Sequence, residues 1–115
     1  MEGKLKCIVK RTDELYGHVT NISASLENLQ KTIGGYIEPV CIKQIERDGR
    51  TVDLVILCDE EGKLKYKKRN LNIGTDVLCG DLVIIGADGE DFCDVPISFE
   101  EWKKTVREFI WRYGA

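Results

Sequence analysis

The chain has 115 residues, of which 43% are hydrophobic and 32% charged, the composition of an ordinary globular domain. This length suits one compact domain and is too short for two, so we expect a single domain over residues 1–115. No apolar run approaches the roughly 20 residues of a membrane span, and MEGKLKCIVKR is too polar for a signal peptide. We therefore expect a soluble cytoplasmic protein without a membrane partner.

The cysteines and the net charge limit the chemistry further. The five cysteines are odd in number, form no Cys-x-x-Cys pair, and mostly lie in or beside apolar runs. We expect them to be small buried side chains in a reducing compartment. Because a zinc site needs clustered ligands and the chain has one histidine, His18, we expect no metal and no cofactor. The net charge of −3 argues against general affinity for nucleic acids.

The chain begins with a predicted hairpin. Residues 4–10 alternate lysine with apolar side chains and end in Ile8-Val9, which is typical of a strand. Residues 18–22 carry a second, shorter strand signal after a turn at Gly17. We therefore expect an antiparallel hairpin from about residue 4 to residue 22.

A short helix is predicted over residues 25–33. Ser23 or Ser25 can supply the N-cap oxygen. Gly34 stands at the position where helices end in the left-handed conformation that glycine adopts without steric cost. The predicted apolar face of this helix consists of Leu26, Leu29 and Ile33.

Two strands are predicted at residues 36–46 and 51–59. Asp48-Gly49 between them favours a type I′ hairpin turn, which needs positive φ at both central positions. The second strand is apolar on both faces, which indicates an interior position in the sheet. Because Pro39 has no N–H to donate, the first strand should lie at an edge of the sheet or bulge there.

The last third of the chain contains a predicted loop, strand and helix. Residues 71–81 contain several glycine and asparagine breaks and are predicted as loop, and residues 81–88 as a strand. Ser98 and Glu101 form a capping box for a helix over 99–113. The apolar stripe of that helix is Trp102, Val106, Phe109, Ile110 and Tyr113.

The element order β-β-α-β-β-β-α predicts an α+β fold. We expect a mostly antiparallel sheet of about five strands, with one short helix and one C-terminal helix packed on it.

A basic stretch, KLKYKKR at residues 63–69, is the clearest candidate for binding. If it is extended, Lys63, Lys65, Lys67 and Arg69 share one face and form a positive row. Such a row either prevents an edge strand from pairing with another chain or binds an anion. The anion would be the phosphates of a nucleotide or of a nucleic-acid backbone.

Other polar and aromatic side chains can complete such a ligand site. Asn70, next to the basic row, can add directed hydrogen bonds, and Tyr66 or Tyr36 can offer a surface on which a base stacks.

Glu38 is an acid among apolar neighbours. Strict alternation places it on the face of Tyr36, Val40 and Ile42. An acid there needs water, a partner or a shifted pKa. It either reaches water at a bulge at Pro39, pairs with a lysine, or accepts hydrogen bonds from a base or ribose hydroxyl of a ligand.

No catalytic set is visible. His18 is the lone histidine, and the chain contains no Gly-x-Ser-x-Gly, P-loop or Gly-x-Gly-x-x-Gly motif. The acidic stretches 59–63 and 88–94 lack the order of a calcium loop and are predicted to be solvated turns. We therefore expect that the protein is not an enzyme.

Several motifs together resemble a known family of small uncharacterised domains from phages, plasmids and gut-type Firmicutes. The motifs are GGYIE (34–38), CDEEGKL (58–64), Asn70 and DVLCGDLVIIGADGEDF (76–92). The resemblance covers roughly residues 25–95. The chain departs from the family pattern at Asp59, where asparagine is usual, and in the stretch after Lys65, which is more basic and lacks a proline before Asn70.

This resemblance implies an accessory protein of a phage or mobile element, a class that often acts by binding and blocking a host component. By analogy, our main hypothesis is a homo-oligomer that sequesters a small anionic ligand without catalysis, with a nucleotide immune second messenger as the preferred ligand. Two alternatives stay open. One is a module that inhibits a host protein through an exposed edge or acidic loop, and the other binds nucleic acid through residues 63–69.

Overall fold

The structure, a computed structural model, describes residues 3–115, which form eight strands and two helices. The strands are β1 (Lys4–Lys10), β2 (His18–Ser23), β3 (Ile37–Arg47), β4 (Arg50–Asp59), β5 (Arg69–Asn72), β6 (Val77–Cys79), β7 (Leu82–Asp88) and β8 (Asp91–Cys93), and the helices are α1 (Leu26–Ile33) and α2 (Phe99–Tyr113). Five strands pair in the order β2-β1-β7-β4-β3, β8 pairs with β7, and β5 and β6 form a separate two-stranded sheet. All these pairs are antiparallel, which confirms the α+β prediction.

The two long predicted hairpins are confirmed. Strands β1 and β2 pair from Lys4↔Ser23 onward. Between β3 and β4, Asp48 has φ of 50° and Gly49 of 76°, as a type I′ turn requires. β4 is interior and β3 is an edge strand, also as predicted.

The irregularity of the edge strand lies elsewhere than expected. Pro39 stays in register opposite Leu57, and the register shifts between Cys41 and Lys43. A proline without a donor fits at an edge without any bulge, because one side of the strand has no neighbour to pair with.

Strand β4 shows how the sheet divides the core. Leu54 and Ile56 belong to one buried cluster together with Trp102 of α2. Val55 and Leu57 belong to a second cluster together with the α1 side chains. Helix α1 therefore covers one face of the sheet and α2 the other. Each fully buried side chain of this size stabilises the fold by about 1.5–3 kcal/mol.

Helix α1 is held at both ends as predicted. The Ser25 side chain accepts a hydrogen bond from the Asn28 amide, and Gly34 ends the helix with φ of 79°. The predicted apolar face is only partly right, because Leu26 at the first position is 59% exposed. Leu29 and Ile33 are buried and attach α1 to the sheet.

Helix α2 begins with the predicted capping box, in which Ser98 and Glu101 exchange side-chain and backbone hydrogen bonds. Trp102 and Val106 are fully buried, and the Trp102 indole N–H donates to the Tyr16 carbonyl at 2.8 Å. Neither helix within residues 3–115 is long and apolar enough to cross a membrane.

The prediction of a loop over residues 71–81 is wrong, since β5 ends and β6 lies within it. Leu71 and Leu78 are buried in the α2-side cluster. At the turn between the strands, a Cβ on Gly74 would lie 2.5 Å from the Tyr113 ring. Only glycine lets this hairpin pack so closely under the end of α2, and the breaks that suggested a loop are the turn itself.

A buried lysine ties this hairpin to the main sheet. Lys10 is only 3% exposed, and its ammonium donates to the Glu14 carbonyl at 2.9 Å and to the Asn70 side-chain oxygen at 2.5 Å. The Asn70 amide nitrogen donates in turn to the carbonyls of Lys10 and Gly80. Burial lowers the pKa of Lys10, while the Glu14 carboxylate opposes that shift.

These contacts give Asn70 a structural role, and ligand binding by Asn70 stays a prediction. Its two N–H donors and its side-chain oxygen are engaged by Lys10 and Gly80, so its amide group joins elements of the fold.

We expect Asn70→Ala to lower the free energy of unfolding by about 1–3 kcal/mol, because a buried ammonium and two carbonyls lose hydrogen-bond partners. Urea unfolding followed by circular dichroism measures this change. Asn21→Ala, on the exposed surface of β2, is the control and should stay within about 0.5 kcal/mol of the parent.

The same loss should be smaller when Lys10 is already methionine, because the charged donor is then absent. An equal loss in both backgrounds would contradict the coupling between Lys10 and Asn70.

Candidate functional site

The chain leaves β4 into a compact segment, residues 59–67, here called the motif loop. Residues 60–66 are turns, closed by hydrogen bonds from the Lys65 amide to the Glu61 carbonyl and from the Lys67 amide to the Gly62 carbonyl, both 2.9 Å. Gly62 is buried, and a Cβ there would lie 3.0 Å from the Cys79 carbonyl. The interpretation of residues 63–69 as an extended row is therefore wrong.

Each of the four cations of that predicted row has a hydrogen-bond or ion-pair partner in the same chain. Lys63 pairs with Asp76. Lys65 and Lys67 both reach Asp59, and Arg69 donates to the Ala115 carbonyl at 3.1 Å. The hydrogen bond between Lys63 and Asp76 raises the pKa of Lys63 and lowers that of Asp76.

Asp59 is the buried centre of an ion cluster whose two lysines are partly exposed, here called the Asp59 cluster (Asp59, Lys65 and Lys67). Its side chain is 1% exposed, and one oxygen lies 2.9 Å from the Lys65 nitrogen and 2.7 Å from the Lys67 nitrogen. The other oxygen accepts from the Glu61 amide at 2.8 Å. Burial alone would raise the pKa of Asp59, but the hydrogen bonds from Lys67, Lys65 and Glu61 outweigh it and lower the pKa to about 2.

The Asp59 cluster also fastens helix α1. The Lys67 ammonium donates to the carbonyls of Ile33 and Gly34 at 3.0 and 3.2 Å, at the negative end of the helix. A Cβ on Gly35 would lie 2.5 Å from the Asp59 carboxylate. The two glycines of GGYIE thus end the helix and admit the buried carboxylate.

The motif loop presents exposed apolar side chains. Leu64 is 76% exposed and Tyr66 is 94% exposed. Tyr66 has φ of 57°, which is uncommon for a residue other than glycine. Tyr36 is 66% exposed, and its carbonyl accepts from the Glu60 amide at 2.9 Å, which places it beside the start of the loop. We call Tyr36, Leu64 and Tyr66 the motif surface.

Three exposed acids, Glu38, Glu60 and Glu61, accompany the motif surface. Within the part of the chain that the structure describes, none of them has a cation at ion-pair distance. The nearby lysines of the loop are matched by Asp59 and Asp76 instead. The surroundings of the motif surface are therefore acidic, although this stretch of sequence contains many lysines.

Glu38 lies at the mouth of a cavity of about 220 Å³ that Cys58, Lys63 and Leu64 also line. Glu38 pairs with Cys58 across strands β3 and β4. The Cys58 thiol donates to the backbone carbonyl of Glu38 at 3.5 Å. Burial, with Glu38 nearby, raises the pKa of Cys58 to about 11, so this thiol stays protonated.

The alternatives for Glu38 can now be compared. It shares its face with Val40 and Ile42, which pack partly on the α2-side cluster, as the alternation predicts. Glu38 reaches water without a bulge at Pro39 and has no lysine at ion-pair distance among residues 3–115. The predicted bulge and the predicted lysine pair are therefore both wrong. A ligand contact for Glu38 stays a prediction.

The structure gathers most of the predicted site residues around the motif loop. These are Tyr36, Glu38, Lys63, Lys65, Tyr66 and Lys67. Arg69 and Asn70 serve other contacts. Sequence reasoning missed Leu64 and the counter-ions Asp59 and Asp76, because a single apolar residue in a charged turn has no periodicity to mark it. No group of three potential metal ligands occurs among residues 3–115.

We expect Asp59→Asn to lower the free energy of unfolding at pH 7 by about 2 kcal/mol. This is the free energy that corresponds to a pKa of about 2 in the folded state against the ordinary value of 3.8 in the unfolded chain. Because the folded-state pKa is depressed, this contribution is present above about pH 4 and disappears as the pH falls through about 2. The difference between the parent and Asp59→Asn should therefore shrink over that range. Urea unfolding at several pH values measures it.

Glu60→Gln, which removes an exposed carboxylate of the same loop, serves as the control. Other acids with lowered pKa, such as Asp76, are common to both proteins and cancel in the difference. Parallel pH profiles for the parent and Asp59→Asn would contradict the role given to Asp59.

Comparison with known proteins identifies a family but no activity. No curated protein and no solved structure matches the chain. The family described as "Domain of unknown function (DUF3846)" matches residues 5–107, a span that includes the motif loop, the Asp59 cluster and most of α2. The resemblance to an uncharacterised family is thereby confirmed, and the chain belongs to the DUF3846 family of domains of unknown function.

Proposed function

We propose that this domain is a protein-binding module that contacts its partner through the motif surface. The observation that carries this proposal is the pair Leu64 and Tyr66, which are 76% and 94% exposed on a loop fixed by the Asp59 cluster. The ion pairs of Lys65 and Lys67 with the buried Asp59 carboxylate tie this loop to the end of β4.

Isolated exposed apolar side chains are common on any protein surface. The motif surface differs because its three members lie on two adjoining segments and because Tyr66 is held at positive φ. Such a backbone conformation costs of the order of 1–3 kcal/mol and is concentrated at functional sites. Tyrosine is also among the residues that dominate binding energy at protein interfaces, and a fixed loop loses little entropy on binding.

The charges around the surface indicate what kind of partner fits. Glu38, Glu60 and Glu61 are exposed and unmatched within the described residues. A partner with an apolar depression and basic residues at its rim would complement them and associate faster at low salt. In the mobile-element context that the family resemblance implies, we propose that this partner is a host protein.

Capture of a nucleotide at the motif surface has less support. Lys63, Lys65 and Lys67 are paired with carboxylates, and a nucleotide at the motif surface would meet three further acids. Phosphate groups would be repelled there, so a protein partner is the better of the two hypotheses for this surface.

We expect the double variant Leu64→Ser with Tyr66→Asn to weaken partner binding at least about 10-fold, or 1.4 kcal/mol, because it removes the exposed apolar side chains. Asparagine tolerates the left-handed backbone at position 66, so the free energy of unfolding should change little. Partners are captured from a lysate of a Firmicute host on the parent protein, identified by mass spectrometry, and titrated by biolayer interferometry.

Leu15→Ser is the matched control, because Leu15 is 57% exposed outside the motif loop. It should bind like the parent. A partner that binds the double variant as tightly as the parent would refute the proposed surface, as would an equal loss in the control.

A further inference from the structure

A second surface has the opposite charge. A cleft of about 390 Å³ lies between the end of β1, helix α1 and residues 67–68, and Arg11, Lys31, Lys67 and Lys68 line it. Asp81 is the one carboxylate among its lining residues. The chain as a whole has a net charge of −3, so this cleft concentrates positive charge against the average of the protein.

Three of these cations are available at the surface. Lys68 is exposed and forms no ion pair within residues 3–115. Lys31 lies 3.8 Å from Glu27, and both side chains are about three-quarters exposed or more, so this pair is weak. Arg11 is 54% exposed and contacts Asp81 through one nitrogen at 3.3 Å, which leaves its other donors free.

The single acid of the cleft is already satisfied. One Asp81 oxygen accepts from Arg11 and the other from the Thr12 amide at 3.2 Å. An anion entering the cleft therefore meets a carboxylate whose charge is partly neutralised.

Lys67 forms the fixed wall of the cleft. It shares the Asp59 carboxylate with Lys65, and a Cβ on Gly80 would lie 2.7 Å from the Lys67 side chain, so glycine at position 80 leaves room for the lysine. Its three N–H donors are used by Asp59, Ile33 and Gly34. Lys67 positions the cleft, while Arg11, Lys31 and Lys68 remain to make contacts.

We propose that this cleft binds a small ligand that carries phosphate groups. Its volume falls within the usual 300–1,000 Å³ of ligand sites, and guanidinium and ammonium groups form strong charge-assisted hydrogen bonds to phosphate oxygens. The site differs from the motif surface and does not depend on protein binding. The two surfaces adjoin, because Lys31 lines both the cleft and a hollow beside Tyr36, but of these two cavities Lys65 lines only the hollow and Lys67 only the cleft.

The test is a titration of isotope-labelled protein with inorganic pyrophosphate, and separately with ADP, followed by amide chemical shifts. We expect saturable shifts confined to residues 11–12, 31–34, 67–68 and 80–81, with affinity that falls as salt rises. The Lys31→Ala with Lys68→Ala variant should bind at least about 10-fold more weakly, since two contacts of about 1 kcal/mol or more are lost. Equal affinity for both probes indicates a site for the phosphates alone, and tighter binding of ADP a site for a nucleotide.

The charge-matched control is Lys43→Ala with Lys104→Ala, two exposed lysines of β3 and α2. It should bind like the parent, and so should the Leu64→Ser, Tyr66→Asn variant, whose residues do not line the cleft. The proposal is overturned if the chemical shifts do not saturate with either probe at a concentration of about 10 mM, which is ten times a weak Kd of about 1 mM. It is also overturned if the control loses as much affinity as the Lys31→Ala, Lys68→Ala variant.

Discussion

The buried carboxylate of Asp59 is the constraint on which the motif loop and the end of α1 depend. A charge with 1% exposure is tolerated only when it is matched and hydrogen-bonded, and Asp59 meets that condition through two lysines and a backbone amide. Those lysines belong to the motif loop, and one of them also holds the last carbonyls of α1. The end of β4, the end of α1 and the loop are thus joined at a single point. In GGYIE, Gly34 supplies the positive φ that ends the helix, and Gly35 is required because the Asp59 carboxylate occupies the space of a side chain.

This arrangement explains why a lysine-rich segment produces an acidic surface. Lys63, Lys65 and Lys67 are used to neutralise carboxylates within the fold, so the charges left facing water beside Tyr36 and Leu64 are Glu38, Glu60 and Glu61. Positive charge appears instead in the cleft, around Lys68. Local charge is therefore set by which side chains find partners, because a count along the motif loop, with three acids and three lysines, gives a net charge of zero.

The regular elements could be predicted because their signals are local. Alternation marks β1 and β4, the Asp48-Gly49 pair marks the hairpin, and Ser25, Gly34 and Ser98 mark the helix ends. The motif loop could not, because lysines at every second position give the pattern of a strand. Its turns depend instead on the close approach of Gly62 to the distant Cys79 carbonyl and on the Asp59 side chain, which accepts from the Glu61 amide. The β5–β6 hairpin was missed because its strands are four and three residues long.

The strand order also determines how the chain must assemble. β1–β2 and β3–β4 are hairpins made early along the chain, yet no strand of one pairs with a strand of the other, because β7 lies between β1 and β4. A single hairpin is marginal in water, so both carry unsatisfied apolar faces until residues 82–88 have been synthesised and inserted between them. The sheet therefore closes in one late step that joins segments about 75 residues apart, which makes folding slow relative to a local topology. A growing or truncated chain that ends before β7 exposes the apolar faces of both hairpins and lacks the central strand of the core. This form is the one most exposed to aggregation and proteolysis in the cell.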